Sequence, residues 1–90
     1  MNTPHLSLAL HGVFKGEAIS ALLQALPELI AQGRPMIIDM QDVDYFDNAF
    51  IATLELVKKH QSIFGQPFKL IGANRLHKEL FRMSGAADSF

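Results

Sequence analysis

The chain of 90 residues contains no cysteine. That absence excludes a disulfide framework, a thiolate metal site and a cysteine nucleophile together. It also suits a reducing cytoplasm. Charge of one sign is lacking too: 8 basic and 9 acidic residues leave a formal net charge of -1. No basic field exists to hold nucleic acid or an anionic membrane surface. No apolar run approaches the roughly 20 residues of a membrane-spanning helix, because Gln24, Pro27 and Asp39 interrupt the longest stretches. Met1-Asn2-Thr3-Pro4-His5 has neither a charged n-region nor a long apolar h-region, so no signal peptide is expected. There is no internal repeat and no linker. Hydrophobic residues make up 49% of the chain, which excludes the disordered class and predicts one domain over residues 1–90 with a modest core.

Hydrophobic spacing divides the chain into alternating elements. Leu6, Leu8 and Leu10 alternate with Ser7, Ala9 and His11, a period of two that predicts a strand, with Val13-Phe14 able to extend it. From Glu17 the period changes. Ile19, Leu22, Leu23, Leu26 and Ile30 predict an amphipathic helix stopped at Gly33. Pro27 removes a hydrogen bond and clashes one turn back, so a kink or break is expected near Leu26. Met36 to Met40 reads as a strand buried on both faces, and Gln41 to Asp47 as a loop. A second helix is predicted from about Asn48 to Phe64, capped by Asp47. Phe68, Leu70 and Ile71 predict a third strand. Asn74 caps a third helix whose apolar stripe is Leu76, Leu80, Phe81 and Met83. The tail from Ala86 to Phe90 is expected to fray. Strand–helix alternation of this kind predicts an α/β domain, one sheet covered by helices, with right-handed crossovers between parallel neighbours.

Residues with catalytic chemistry do not converge in the sequence. His5, His11, His60 and His77 show no zinc-ligand spacing and read as surface or strand-end residues. Asp39, Asp42, Asp44 and Asp47 cluster, but the glycine and distal glutamate of a calcium loop are missing. Asp42 and Asp44 read as turn formers. Gly12-Val13-Phe14-Lys15-Gly16 lacks the rest of a phosphate-loop pattern, and no serine lies in a nucleophile elbow. No cofactor, no metal and no enzymatic activity are expected. The phenylalanines fall on apolar stripes and read as core.

Met36 to Phe50 resembles the STAS domain, found in bacterial anti-sigma factor antagonists and in the cytoplasmic tails of sulfate transporters. A hydrophobic strand runs into Asp42-Val43-Asp44-Tyr45-Phe46-Asp47 and then a helix. Leu10-His11-Gly12, Phe68-Lys69-Leu70-Ile71-Gly72 and the closing Arg82-Met83-Ser84-Gly85 fall in the family's order and spacing. The resemblance implies a small mixed β-sheet with helices mostly on one side. In the antagonist branch it also implies a serine after the aspartate, phosphorylated by a partner kinase that is itself the anti-sigma factor. Here Asp47 is present, but Asn48 occupies the serine position, Ala49 the next hydroxyl position and Phe50 the glycine position. No phosphorylation is expected at Asn48, which has no hydroxyl.

The resemblance thus implies a cytoplasmic, bacterial protein–protein interaction module for signal transduction and transcription regulation. Its partner would be an anti-sigma-type kinase or a signalling scaffold. Asp44, Tyr45, Asp47, Asn48 and Ala49 are the expected partner-binding residues, with Thr53 and Leu56 behind them. A second reading is an accessory subunit or domain of a membrane transporter, either an anion permease or a lipid-transport system. A third is a nucleotide-binding protein.

Overall fold

The strand at the centre of the sheet, β2, spans Met36–Phe46, where its inward residues Met36, Ile38, Met40, Val43 and Phe46 are buried almost completely. The computed structural model describes residues 4–90, so the first three residues of the segment read as no signal peptide lie outside the described residues. The element order is β1 (Leu6–Phe14), α1 (Glu17–Ala31), β2, α2 (Asn48–Ile63), β3 (Phe68–Ile71) and α3 (Arg75–Met83). The strands lie in the order β1-β2-β3 and all pairs are parallel. The α/β alternation predicted from the sequence is what the structure shows. The antiparallel neighbour that a mixed sheet would need is not among the described residues. Right-handed crossovers between sequential parallel strands set the helices on one face, and α1, α2 and α3 all pack there. Ser7, Ala9, Lys69 and Ile71 are exposed on the other face, beside the half-buried Ile37 and Asp39.

The structure corrects the sequence reading in several places. Gln41 to Asp47 is no loop. β2 continues to Phe46, using 11 residues where β1 uses 9 over the same ladder. Two register shifts absorb the difference, one opposite Ala9–His11 and one opposite Gly12–Val13. Asp42 and Asp44 are therefore outward residues of a bulged strand and not turn formers. Val43 and Phe46 hold the segment to the core, which a polar loop would not do. Met36 to Met40 is buried on one face only, since Ile37 and Asp39 are half-exposed. α1 runs unbroken through Pro27. The buried stripe of Ile19, Leu22 and Leu26 holds its line there, while Pro27 faces solvent. In α3 only Phe81 and His77 are buried, and Leu76 and Met83 lie exposed. The tail does not fray: Ala86 is buried, Phe90 stacks against Phe81 and Phe68, and Lys58 donates to the Ser89 carbonyl while its ammonium lies over the Phe90 ring.

An aromatic cluster closes the core at the end of β2. The Phe46 ring lies 5.0 Å from Phe50, 5.0 Å from Phe81 and 5.6 Å from the His77 ring, and Phe14 lies 5.0 Å from Phe50. Tilted pairs at this spacing add to the burial of the rings themselves. They tie the ends of β1 and β2 to α2 and α3. Truncating Phe46 to alanine is expected to cost about 3–5 kcal/mol. Phe50→Gly, which restores the glycine of the resembled pattern, is expected to cost as much and about 1 kcal/mol more for glycine inside a helix. Equilibrium urea unfolding of the two variants measures both effects.

Candidate functional site

The bulged half of β2 delivers the chain to the start of α2 in a defined orientation. Inside the bend, an Asp39 side-chain oxygen accepts the Gln41 amide at 2.9 Å. Gly72 packs directly against this turn. A Cβ there would lie 2.6 Å from that oxygen and 2.9 Å from the Gln41 nitrogen, at a φ of +72. Only glycine fits. At the second bulge Asp44 is the extra residue, and it and Tyr45 both point outward, Tyr45 being 42% exposed.

Asp47 ends the strand with extended backbone and caps α2, its carboxylate accepting the Phe50 amide at 3.1 Å. Its own N–H donates to the Phe14 carbonyl at 3.4 Å. One residue thus joins β1 to the helix start. The free amides of the first turn and the helix dipole make that start an electropositive end. Asn48 and Ala49 sit on it, exposed, directly above the buried Phe50. Asp44, Tyr45, Asp47, Asn48 and Ala49 are therefore gathered at one junction. Thr53 and Leu56 are not part of it. Thr53 is buried, its hydroxyl donating to the Ala49 carbonyl at 2.8 Å. Leu56 lies farther along, in an apolar groove of about 410 Å³ between α1 and α2, beside Leu23, Pro27 and Phe64.

A second groove, of about 260 Å³, runs from the junction to the end of α3. Tyr45 and Asn48 form one wall, Met83 and Ser84 the other, with Ile51 and Leu80 between. Met83 is 72% exposed. Its side chain is unbranched and polarizable. Neither Met83 nor Ser84 could be assigned here from the sequence, because nothing local shows that the end of α3 meets the start of α2.

His77 is neither the surface nor the strand-end residue that its sequence context suggests. It is fully buried and organises the site from below. Asn74 Oδ1 accepts the His77 amide at 2.9 Å, and His77 Nδ1 accepts the Asn74 amide at 3.1 Å, a reciprocal cap on α3. With Nδ1 an acceptor, Nε2 carries the proton and donates to the Val43 carbonyl at 2.6 Å. The signal was present as Asn74-x-x-His77, a capping pair at the right spacing. On α3's outer face Arg82 binds Glu79 at 2.5 Å. The hydrogen bond to Arg82 holds the Glu79 carboxyl below its ordinary range. This exposed pair stands apart from the junction. Among the described residues no group of three or more histidine, aspartate or glutamate side chains is placed to hold a metal ion. No helix there is long and apolar enough to cross a membrane.

The profile of a protein family described as "Mlab, STAS domain" matches residues 2–88. Among solved structures, the chain is similar to "Crystal Structure Analysis of Mglu", with a TM-score of 0.68 and 21% identity over 79% of this chain. The match spans 18% of that structure's chain, so the likeness is one of fold. No curated protein matches the chain.

Replacing His77 with phenylalanine keeps an aromatic ring but strips two backbone groups of their partners. The expected cost is about 1–3 kcal/mol for each group left unpaired. Asp47→Ala is expected to cost about 1 kcal/mol through the lost cap. His5→Ala, at an exposed position, is expected to stay within about 0.5 kcal/mol. Urea unfolding of the three variants, side by side, separates these outcomes.

Proposed function

The chain belongs to the Mlab, STAS domain family, and on that premise we propose that it is a non-catalytic module that binds a protein partner at the β2–α2 junction. STAS domains generally mediate protein–protein interaction. The observation that carries the reading is the junction itself. Tyr45, Asn48 and Ala49 are exposed, yet they stand on the buried Phe46 and Phe50 and the hydrogen-bonded Asp47 cap. A surface held in one conformation before contact loses little entropy on binding. Tyr45 is an aromatic anchor of the kind that dominates interfaces, and Asn48 offers an amide that can donate and accept.

The partner of this reading is an anti-sigma-type kinase or a signalling scaffold, in a bacterial cytoplasm, with transcription as the regulated process. Asn48 sits where the antagonist branch carries its phosphorylated serine. A phosphate there would add about -1.5 to -2 charge at the docking surface. Asn48 cannot take one, so the domain stays in the state equivalent to the unphosphorylated form and binds constitutively.

That feature favours a second reading as well, an accessory subunit of a membrane transporter such as a lipid-transport system. A subunit that remains assembled needs no phosphorylation to release it.

Asn48→Asp tests the site cleanly. A carboxylate in the first turn of α2 favours the helix by about 0.3–1 kcal/mol, so the fold is expected to hold. Co-purification of the partner from the native host is expected to fall at least about tenfold, the equivalent of about 1.4 kcal/mol. Undiminished recovery of the partner with a folded Asn48→Asp variant rules out this surface. The identity of the recovered protein, kinase or transporter component, separates the two readings.

A further inference from the structure

The two edges of the sheet are built differently. β3 has 4 residues, follows Pro67, carries Lys69, and its Phe68 ring lies 6.3 Å from the Phe90 ring of the tail. A short, charged edge discourages pairing with another chain. β1 has 9 residues with no lysine, arginine, aspartate, glutamate or proline between Leu6 and Phe14. Both bulges in its ladder take their extra residue from β2, and the one positive φ in β1, at Gly12, lies beyond the stretch from Leu6 to His11. No described strand lies along its outer side.

The direction of the unpaired groups follows from the ladder. In parallel pairing a residue's N–H and C=O point to the same side and alternate along the strand. Leu6 N–H donates to the Pro35 carbonyl, and the Phe14 carbonyl accepts from Asp47 N–H. Even-numbered residues therefore face β2, and Ser7, Ala9 and His11 point their amides and carbonyls outward. On the helix side the row Leu6, Leu8 and Leu10 is only half-buried, while the adjacent Met36, Ile38 and Met40 are at most 1% exposed. The leucine row lacks cover on the same side that lacks a strand.

We propose that β1 pairs antiparallel with β1 of a second copy of this chain, joining two three-stranded sheets into one of six strands. A strand is the only element that satisfies outward amides and carbonyls in a row, and β1 is complementary to itself. About a two-fold axis near Ala9, outward residues meet outward residues, and the two leucine rows continue into each other on the helix side. No charge in either strand opposes the pairing. The interface uses a strand edge and leaves the outward face of Tyr45 and Asn48 to another partner, so its failure or success is independent of the proposed docking site.

Sedimentation of the 90-residue chain tests the proposal. A small interface of this kind associates weakly, so the mass is expected to move from one chain toward two between about 1 µM and about 1 mM. The Ser7, Ala9 and His11 amides are expected to gain protection from hydrogen exchange over the same range. Ala9→Pro removes an outward donor that the β1–β2 ladder does not use, a substitution edge strands tolerate. This variant is expected to stay folded by circular dichroism and to dimerise at least about 10-fold more weakly. Should it fail to fold, Ala9→Lys decides instead, since it keeps the amide and sets two lysines near the axis. A wild-type chain that stays monomeric throughout overturns the proposal, as does a dimer that survives the folded variant undiminished or leaves those amides unprotected.

Discussion

Beyond Asp39 the central strand has a neighbour on one side only among the described residues. β2 runs on to Phe46, but β3 stops at Ile71, opposite Asp39. Val43 nonetheless lies in the core, where an unpaired carbonyl is costly. His77 meets that requirement at Val43, and it can do so only because Asn74 fixes its ring from the other nitrogen. The rest of the upper domain follows. α3 must start where His77 reaches Val43, Phe81 then lands on Phe46, and the far end of α3 comes to lie beside the start of α2. The groove between Tyr45 and Met83 is a consequence of where a missing strand is replaced by a side chain.

The junction above this arrangement combines two properties that binding surfaces need. It is exposed at Asp44, Asn48 and Ala49 and polar at the first two, yet its backbone is held by the Asp47 cap, the Phe14 carbonyl and the rings of Phe46 and Phe50. Phe50 shows how the sequence departs from the resembled pattern without weakening the fold. Where a glycine would allow close approach, a fully buried phenylalanine fills the space between Phe14 and Phe46. The helix start is stiffened from beneath while its surface stays small and uncharged at Asn48 and Ala49.

A second staple works at the opposite end of the sheet. Gln61 is buried on α2 and donates to the Arg34 carbonyl at 2.8 Å. Arg34 in turn donates to the Pro4 and His5 carbonyls. The entry to β1 and the entry to β2 are thereby tied to one helix. Among the described residues no buried side-chain nitrogen or oxygen lacks a hydrogen-bond partner. A domain with so small a sheet cannot absorb many such losses.

Local signals carried the alternation of strands and helices, the Asp47 and Asn74 caps and most of the core. Those depend on spacing within one element, and spacing is written in the sequence. Leu6-Leu8-Leu10 and Ile19-Leu22-Leu26 each need only their own period to be recognised. The second half of β2 was hidden because Asp42 and Asp44 look like turn residues until Val43 and Phe46 are seen pinned under α2 and α3. His77 looked like a surface residue because its partner, the Val43 carbonyl, is a backbone atom 34 residues away, and a carbonyl leaves no trace in the sequence. The same holds for Met83, whose role depends on which helix end it faces. The sequence by itself determined the alternation of strands and helices and the residues that cap α2 and α3. Only the tertiary structure decided which strand outran its neighbours, and so which side chains the site is made of, because pairing and burial between distant segments are properties of no single segment.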